Sequence, residues 1–187
     1  MRVSHLFSIF SSVAGSLAAT YTSCSESQIA TLEVAISRAT TKAFAAIDYL
    51  EANPNGSDLQ TTWYGEFSTE RYNKVLTAFK KFAPDLATTF RYDCSCQSTA
   101  VLATIGGTYG DVRICSVFFD GWPETGHRSQ WDTIIHEATH FRDVLRTRDS
   151  GYGVEYCKQF ALEDPNKAVE NADNHARFAV EVPPFGP

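Results

Sequence analysis

Positive charge is scarce in this 187-residue chain: 16 Lys and Arg stand against 22 Asp and Glu, a formal net charge of −6. That balance argues against nucleic acid or an anionic membrane surface as the main partner, since both require a basic face. Long apolar runs are missing too. The N-terminal one, Leu6 to Val13, is too short to cross a bilayer. No Gly-Lys-Ser/Thr triplet or Rossmann spacing follows Gly106-Gly107, so a turn is favoured there over a phosphate loop. Repeats, low-complexity tracts and linkers are also absent. What remains is one domain, 43% hydrophobic and long enough to bury a core.

Residues 1–19 read as a secretory signal: Arg2 gives a positive start, an apolar stretch follows, and Leu17-Ala18-Ala19 offers small residues for cleavage. The mature domain, residues 20–187, is then expected outside the cell. Cys24, Cys94, Cys96, Cys115 and Cys157 all lie within it, and an oxidising compartment allows two disulfides and one thiol. Cys94 and Cys96 are two apart, so on an extended segment they leave the same face and bridge each other poorly. Each is expected to take a distant partner, with Cys24, Cys115 and Cys157 competing. Cys157, in a helical pattern, reads best as a buried free thiol.

Ile29, Leu32, Ile36, Ala39, Ala43, Ile47 and Leu50 follow three-and-four spacing behind a Ser25/Gln28 capping box, which predicts a long amphipathic helix ended by Asn53-Pro54-Asn55-Gly56. Asn55-Gly56-Ser57 also matches a glycosylation acceptor. Ser68 opens a second helix. Runs from Thr88 to Asp93, Thr99 to Ile105 and Val112 to Phe119, split by glycines, predict a small antiparallel sheet. Ser129 and Asp132 cap another helix, and Asp164-Pro165 begins a last one that includes Asn171 to His175. The fold class is therefore α+β, mainly helical.

The helix after Ser129 carries His136-Glu137-Ala138-Thr139-His140. Residues four apart lie one turn above each other, so two imidazoles can address one ion. Zinc suits them: it takes nitrogen and carboxylate ligands at roughly 2.0–2.2 Å, with three protein ligands and one open position in a catalytic site. Glu137 lies about 100° round the helix, beside that ion, where it can act as a general base. The core stripe Ile134, Ala138, Phe141 and Leu145 turns the histidines toward a cleft. A third histidine at 146 after a glycine at 143 is excluded, because those positions are Arg146 and Asp143. Glu163, Glu170 and Asp149 remain open as the third ligand.

Thr147, Asp149, Tyr152 and Gly153 stand where the aspzincins, the deuterolysin family of secreted metallopeptidases, carry G-T-x-D-x-x-Y-G. The chain resembles that family from Thr20-Tyr21 through Cys94-Ser95-Cys96 to Asn171-Ala172-Asp173-Asn174-His175, and within it most resembles the peptidyl-Lys metalloendopeptidases. The resemblance implies a zincin-like fold and one Zn2+ ion on His136, His140 and Asp149. It implies Glu137 as the base, Tyr152 as the phenol at the oxyanion, and disulfides Cys24–Cys94 and Cys96–Cys115. It also implies Asp173 as a substrate-binding acid for a lysine after the scissile bond.

Two positions depart from the pattern. Arg146 replaces the glycine, which strains the loop if φ is positive there. Ala176 stands in place of a second acid, which broadens the preference for lysine. The expected function is a secreted, monomeric zinc endopeptidase acting on proteins and peptides. The alternative is a disulfide-stabilised secreted binding protein or effector that kept the fold without useful turnover.

Overall fold

A computed structural model describes residues 18–183 except 122, 124 and 125; the expected signal segment falls almost wholly outside these residues. In chain order come β1 (Thr20–Thr22), α1 (Glu26–Ala52), α2 (Asp58–Tyr64), α3 (Thr69–Phe82), β2 (Arg91–Cys96), β3 (Ala103–Ile105) and β4 (Asp111–Cys115). A 3-10 turn (Ser116–Phe119) leads to α4 (Gln130–His140), α5 (Val154–Glu163), α6 (Pro165–Val169) and α7 (Ala172–Glu181).

The capping box forms at the start of α1: Gln28 N–H donates to Ser25 Oγ at 3.3 Å, and Ser25 N–H donates to Gln28 Oε1 at 2.8 Å. The buried face of α1 is rich in small residues, Ala35, Ala39, Ala43 and Ala46, so that α4 and α7 pack closely on it. Leu32, Leu50, Phe79, Phe82, Ile134 and Phe178 fill the space between the helices. Truncating one such buried aromatic to alanine costs about 3–5 kcal/mol. Lys42 reaches from α1 to the end of α7, donating to the Val182 carbonyl at 2.8 Å, and so satisfies an orphan helix-end acceptor with a cation. Among the described residues, no helix is long and apolar enough to cross a membrane.

The sheet is mixed, which corrects the expected antiparallel one. Its order is β1-β2-β4-β3; β1, β2 and β4 run parallel and only β3 pairs antiparallel, with β4. Parallel neighbours need a long crossover, and helices α1 to α3 supply it between β1 and β2. Among the described strands only β3 and β4 form a hairpin, and Gly110 takes φ 86° in its connection. Two disulfides staple this layer. Cys24–Cys94 ties the start of α1 to β2, and Cys96–Cys115 joins the ends of β2 and β4. Cys157 is free and buried. The last expected helix is divided: α6 ends before Asn171, whose backbone turns to meet Arg148.

Candidate active site

Every residue of α4 from Trp131 to Thr139 is buried. Ser129 Oγ accepts the Asp132 N–H at 3.3 Å, while the Asp132 carboxylate reaches back to the Arg128 N–H at 2.6 Å. Ile134, Ala138 and Phe141 face the core. His136, Glu137 and His140 line a cleft of about 950 Å³ together with residues 99–105, residues 147–149, Tyr152, Gly153, Asp173 and Arg177.

Directly after His140 the chain reverses. The N–H groups of Val144 and Arg146 both donate to the Phe141 carbonyl, at 2.9 and 3.1 Å. Arg146 adopts φ 55°, the left-handed conformation in which glycine is unstrained. Thr147 then lies back on the last turn of α4: its N–H donates to the Thr139 carbonyl at 3.2 Å, and the two threonine hydroxyls meet at 2.8 Å. The Thr147 carbonyl accepts from His140 Nδ1 at 3.0 Å. That bond fixes the tautomer and leaves Nε2 free to ligate.

The reversal delivers Asp149. Its Oδ1 lies 2.9 Å from His136 Nε2 and 3.3 Å from His140 Nε2. Three donor atoms on a tetrahedral zinc with bonds of about 2.0–2.1 Å stand roughly 3.3 Å apart. The two spacings to Asp149 lie near that figure, all three donor atoms fall within 4.8 Å of one another, and two imidazoles with one carboxylate are a donor set zinc accepts, so the residues present fit the ion. Among the described residues no other histidine, cysteine or carboxylate joins the cluster, so Glu163 and Glu170 are not part of it. The charges agree with a cation site. Burial alone would depress His136, yet Asp149 and Asp173 push it up to about 10. Burial alone would raise Asp149, yet the imidazoles hold it well below the usual carboxylate range.

Glu137, 6% exposed, stands beside the donor atoms. Burial raises its carboxyl, against the lowering pull of His136 and His140. The Tyr152 ring stacks on His136 at 5.9 Å between centroids and 14° between planes. Partial burial and the Asp149 charge hold its hydroxyl above the ordinary phenol value.

Asp173 is only 4% exposed, and its oxygens face protein groups: Arg177, the Gly153 N–H and His136 Nδ1. Asn171 is fully buried and cradles the Asp149 loop. Its Oδ1 accepts from the N–H groups of Ser150 and Gly151, and its Nδ2 donates to the Gly151 carbonyl. The sequence reading gave no role to Asn171 or Arg177. The Asp173/Arg177 spacing of four on a helix was the one signal available for the latter.

The family model described as lysine-specific metallo-endopeptidase, of the aspzincin M35 type, matches residues 49–180. A peptidyl-Lys metalloendopeptidase of Pleurotus ostreatus is 34% identical over 166 residues, covering 88% of this chain and 98% of that protein. The peptidyl-Lys metalloendopeptidase of Grifola frondosa is 33% identical over 88% of this chain, which spans 47% of its length. An extracellular protease of Aeromonas hydrophila is 32% identical over 86% of this chain and 46% of its own. The solved zinc peptidase from Grifola frondosa superimposes with a TM-score of 0.78 at 32% identity, covering 83% of this chain and 96% of that one. With its helix-borne histidines and the returning aspartate in place, this chain belongs to the aspzincin family of metallo-endopeptidases.

Proposed function

We propose that this protein is a secreted, monomeric, zinc-dependent endopeptidase acting on proteins and peptides, with one zinc held by His136, His140 and Asp149. The observation that carries this reading is the convergence of those three donor groups beside Glu137 and Tyr152 on the wall of an open cleft. Bound there, zinc supplies a Lewis acid and makes water acidic enough to ionise near neutral pH. Glu137 takes the proton of the attacking water and later passes it to the leaving amine; its raised affinity for a proton suits both steps. Tyr152 keeps its proton at neutral pH, so it can donate a hydrogen bond to charge that develops only in the transition state. The edge strand β3 borders the cleft, and its outer backbone groups suit an extended peptide added as a further strand.

The relatives' names carry lysine. In this chain Ala176 supplies no second acid, so we assign a broadened preference in which lysine is accepted without being required. Two disulfides and the signal-like residues 1–19 support export. Mass spectrometry of a denatured protein mixture after incubation tests the reading. Cleavage that stops with a chelator and returns with zinc is expected; cleavage indifferent to chelation would sink it.

A further inference from the structure

We propose that the fold withholds this chain's own lysines from its active site, so that the native protein resists cleaving itself before lysine. The inference rests on the endopeptidase reading with lysine accepted after the scissile bond. It concerns what that activity does to the chain that carries it.

All six lysines lie inside helices: Lys42 in α1, Lys74, Lys80 and Lys81 in α3, Lys158 in α5 and Lys167 in α6. None stands in a strand or a connection. Arginine is distributed differently: Arg128, Arg142 and Arg146 lie in connections, and Arg91 and Arg113 lie in strands. The two residue types have nearly equal helix propensity and the same charge, so neither property explains the separation. A reaction that takes lysine as the substrate side chain does explain it.

A peptide laid along the edge of β3 must be extended, with its backbone N–H and C=O groups free to pair. In a helix those groups are already bonded to residues four apart in the same chain. The bond before each lysine therefore reaches the cleft only after its helix opens. Helices α1 and α3 are held in the core through Leu50, Val75, Phe79 and Phe82. Helix α6 has only five residues, yet Asp164 Oδ1 accepts the Lys167 N–H at 3.2 Å, and Ala168 and Val169 are buried.

The ammonium groups are engaged as well. Lys42 Nζ donates to the Val182 carbonyl at 2.8 Å, Lys74 pairs with Glu70, and Lys80 pairs with Glu51. Lys81 lies 4.4 Å from the centre of the Tyr109 ring, Lys158 lies 5.6 Å from that of Trp63, and Lys167 lies 4.0 Å from that of Phe160. Exposed ion pairs contribute little, so the helix backbone does the withholding and these contacts add to it. The exposed connections, where a protease nicks a folded chain first, carry no lysine.

The test puts a lysine into a connection of the zinc-loaded protein. Gly107→Lys places one between β3 and β4, where an added Cβ meets no atom within 4 Å and φ lies outside the left-handed range. Gln97→Lys places one in the exposed segment after β2. Each variant is incubated under native conditions beside the wild type, together with an unstructured lysine-containing peptide, and all fragments are identified by mass spectrometry. Expected is one new cut, before position 107 or 97, roughly 100-fold or more faster than any cut before a native lysine, because connections open almost freely while helices open cooperatively. The same variants carrying Glu137→Gln should stay whole; cutting that persists there would overturn the assignment to the protein's own site. Both loop variants staying whole beside a cleaved peptide would overturn the proposal, and so would a wild type cut before its helical lysines at the same rate. If the peptide is not cut either, the endopeptidase reading fails and this inference falls with it.

Discussion

Glu137 and Arg146 make opposite demands on their neighbours. Glu137 is buried beside the donor atoms without being one of them, so removing its charge should leave the metal in place and stop the chemistry. Glu137→Gln is expected to lower kcat by about 10²–10⁴ with unchanged zinc content; full activity in a stoichiometrically loaded variant would exclude it as the base. Arg146 holds φ 55° with an exposed side chain, a conformation that costs a non-glycine residue on the order of 1 kcal/mol. Glycine relieves that strain but gives back part of the gain through its freer unfolded chain. Arg146→Gly should therefore stabilise by about 0.5–1 kcal/mol, seen as a rise in melting temperature of roughly 2–4 °C per kcal/mol. A fall would mean that the guanidinium makes a contact worth more than the strain. Asp149 reaches the histidines despite the arginine, so the strain is borne by the turn and not by Asp149.

Among the elements, the loop 148–153 is the one whose shape comes from elsewhere in the chain. Beyond the Arg148–Asn171 bridge it has no regular structure of its own, and Asn171 replaces the missing backbone bonds with its side-chain amide. Asn171→Ala would leave the Ser150 and Gly151 N–H groups without acceptors, at a cost of about 2–3 kcal/mol. Because Asp149 precedes Ser150, zinc affinity should fall in the same variant. A denaturation midpoint together with chelator competition checks both, and retained zinc affinity would show that Thr147 and the backbone pairing of Arg148 with residues 170–172 suffice to fix the loop. This dependence also explains how much could be read in advance. Helices α1, α3 and α4 were legible because Ser25, Ser68 and Ser129 cap them and long apolar stripes follow. That His136, Glu137, His140 and Asp149 come together was legible because they lie within fourteen residues of one another. The β1–β2 pairing, the α6–α7 break and the contacts of Asn171 and Arg177 were not. Each is settled by contacts between distant segments, such as Arg177 with Asp132, 45 residues apart, and no local periodicity reports these. Helix α5 starts at Gly153 with no side-chain cap, and α2 is only seven residues long, so neither carried much local signal.

At the scale of the whole molecule, stability rests on two staples and on buried groups that dislike acid. Cys24–Cys94 and Cys96–Cys115 span 70 and 19 residues, worth about 4 and about 3 kcal/mol in the chain-entropy account. Reduction should accordingly lower the denaturation midpoint by several kcal/mol in free energy. The acid side is governed in part by His175, fully buried where α7 meets α2. Its Nε2 donates to the Val169 carbonyl at 2.8 Å, which leaves Nδ1 to accept from the Tyr64 hydroxyl at 3.0 Å. The neutral ring satisfies both bonds. A second proton would sit on Nδ1, aimed at a hydroxyl that already donates there, in a site closed to water. Burial thus pushes His175 down to about 4, against about 6.5 in an unfolded chain. With the folded value below the unfolded one, the unfolded chain binds the proton more readily. The stabilising contribution is therefore complete above pH 6.5 and is lost as the pH falls through 4, by up to about 3 kcal/mol. His175→Gln keeps a donor and an acceptor but does not titrate. Its denaturation profile should be flatter than the wild type's between pH 6.5 and 4, and the difference between the two isolates His175 from acid-driven loss of metal. Equal slopes would place the acid sensitivity in the metal site alone.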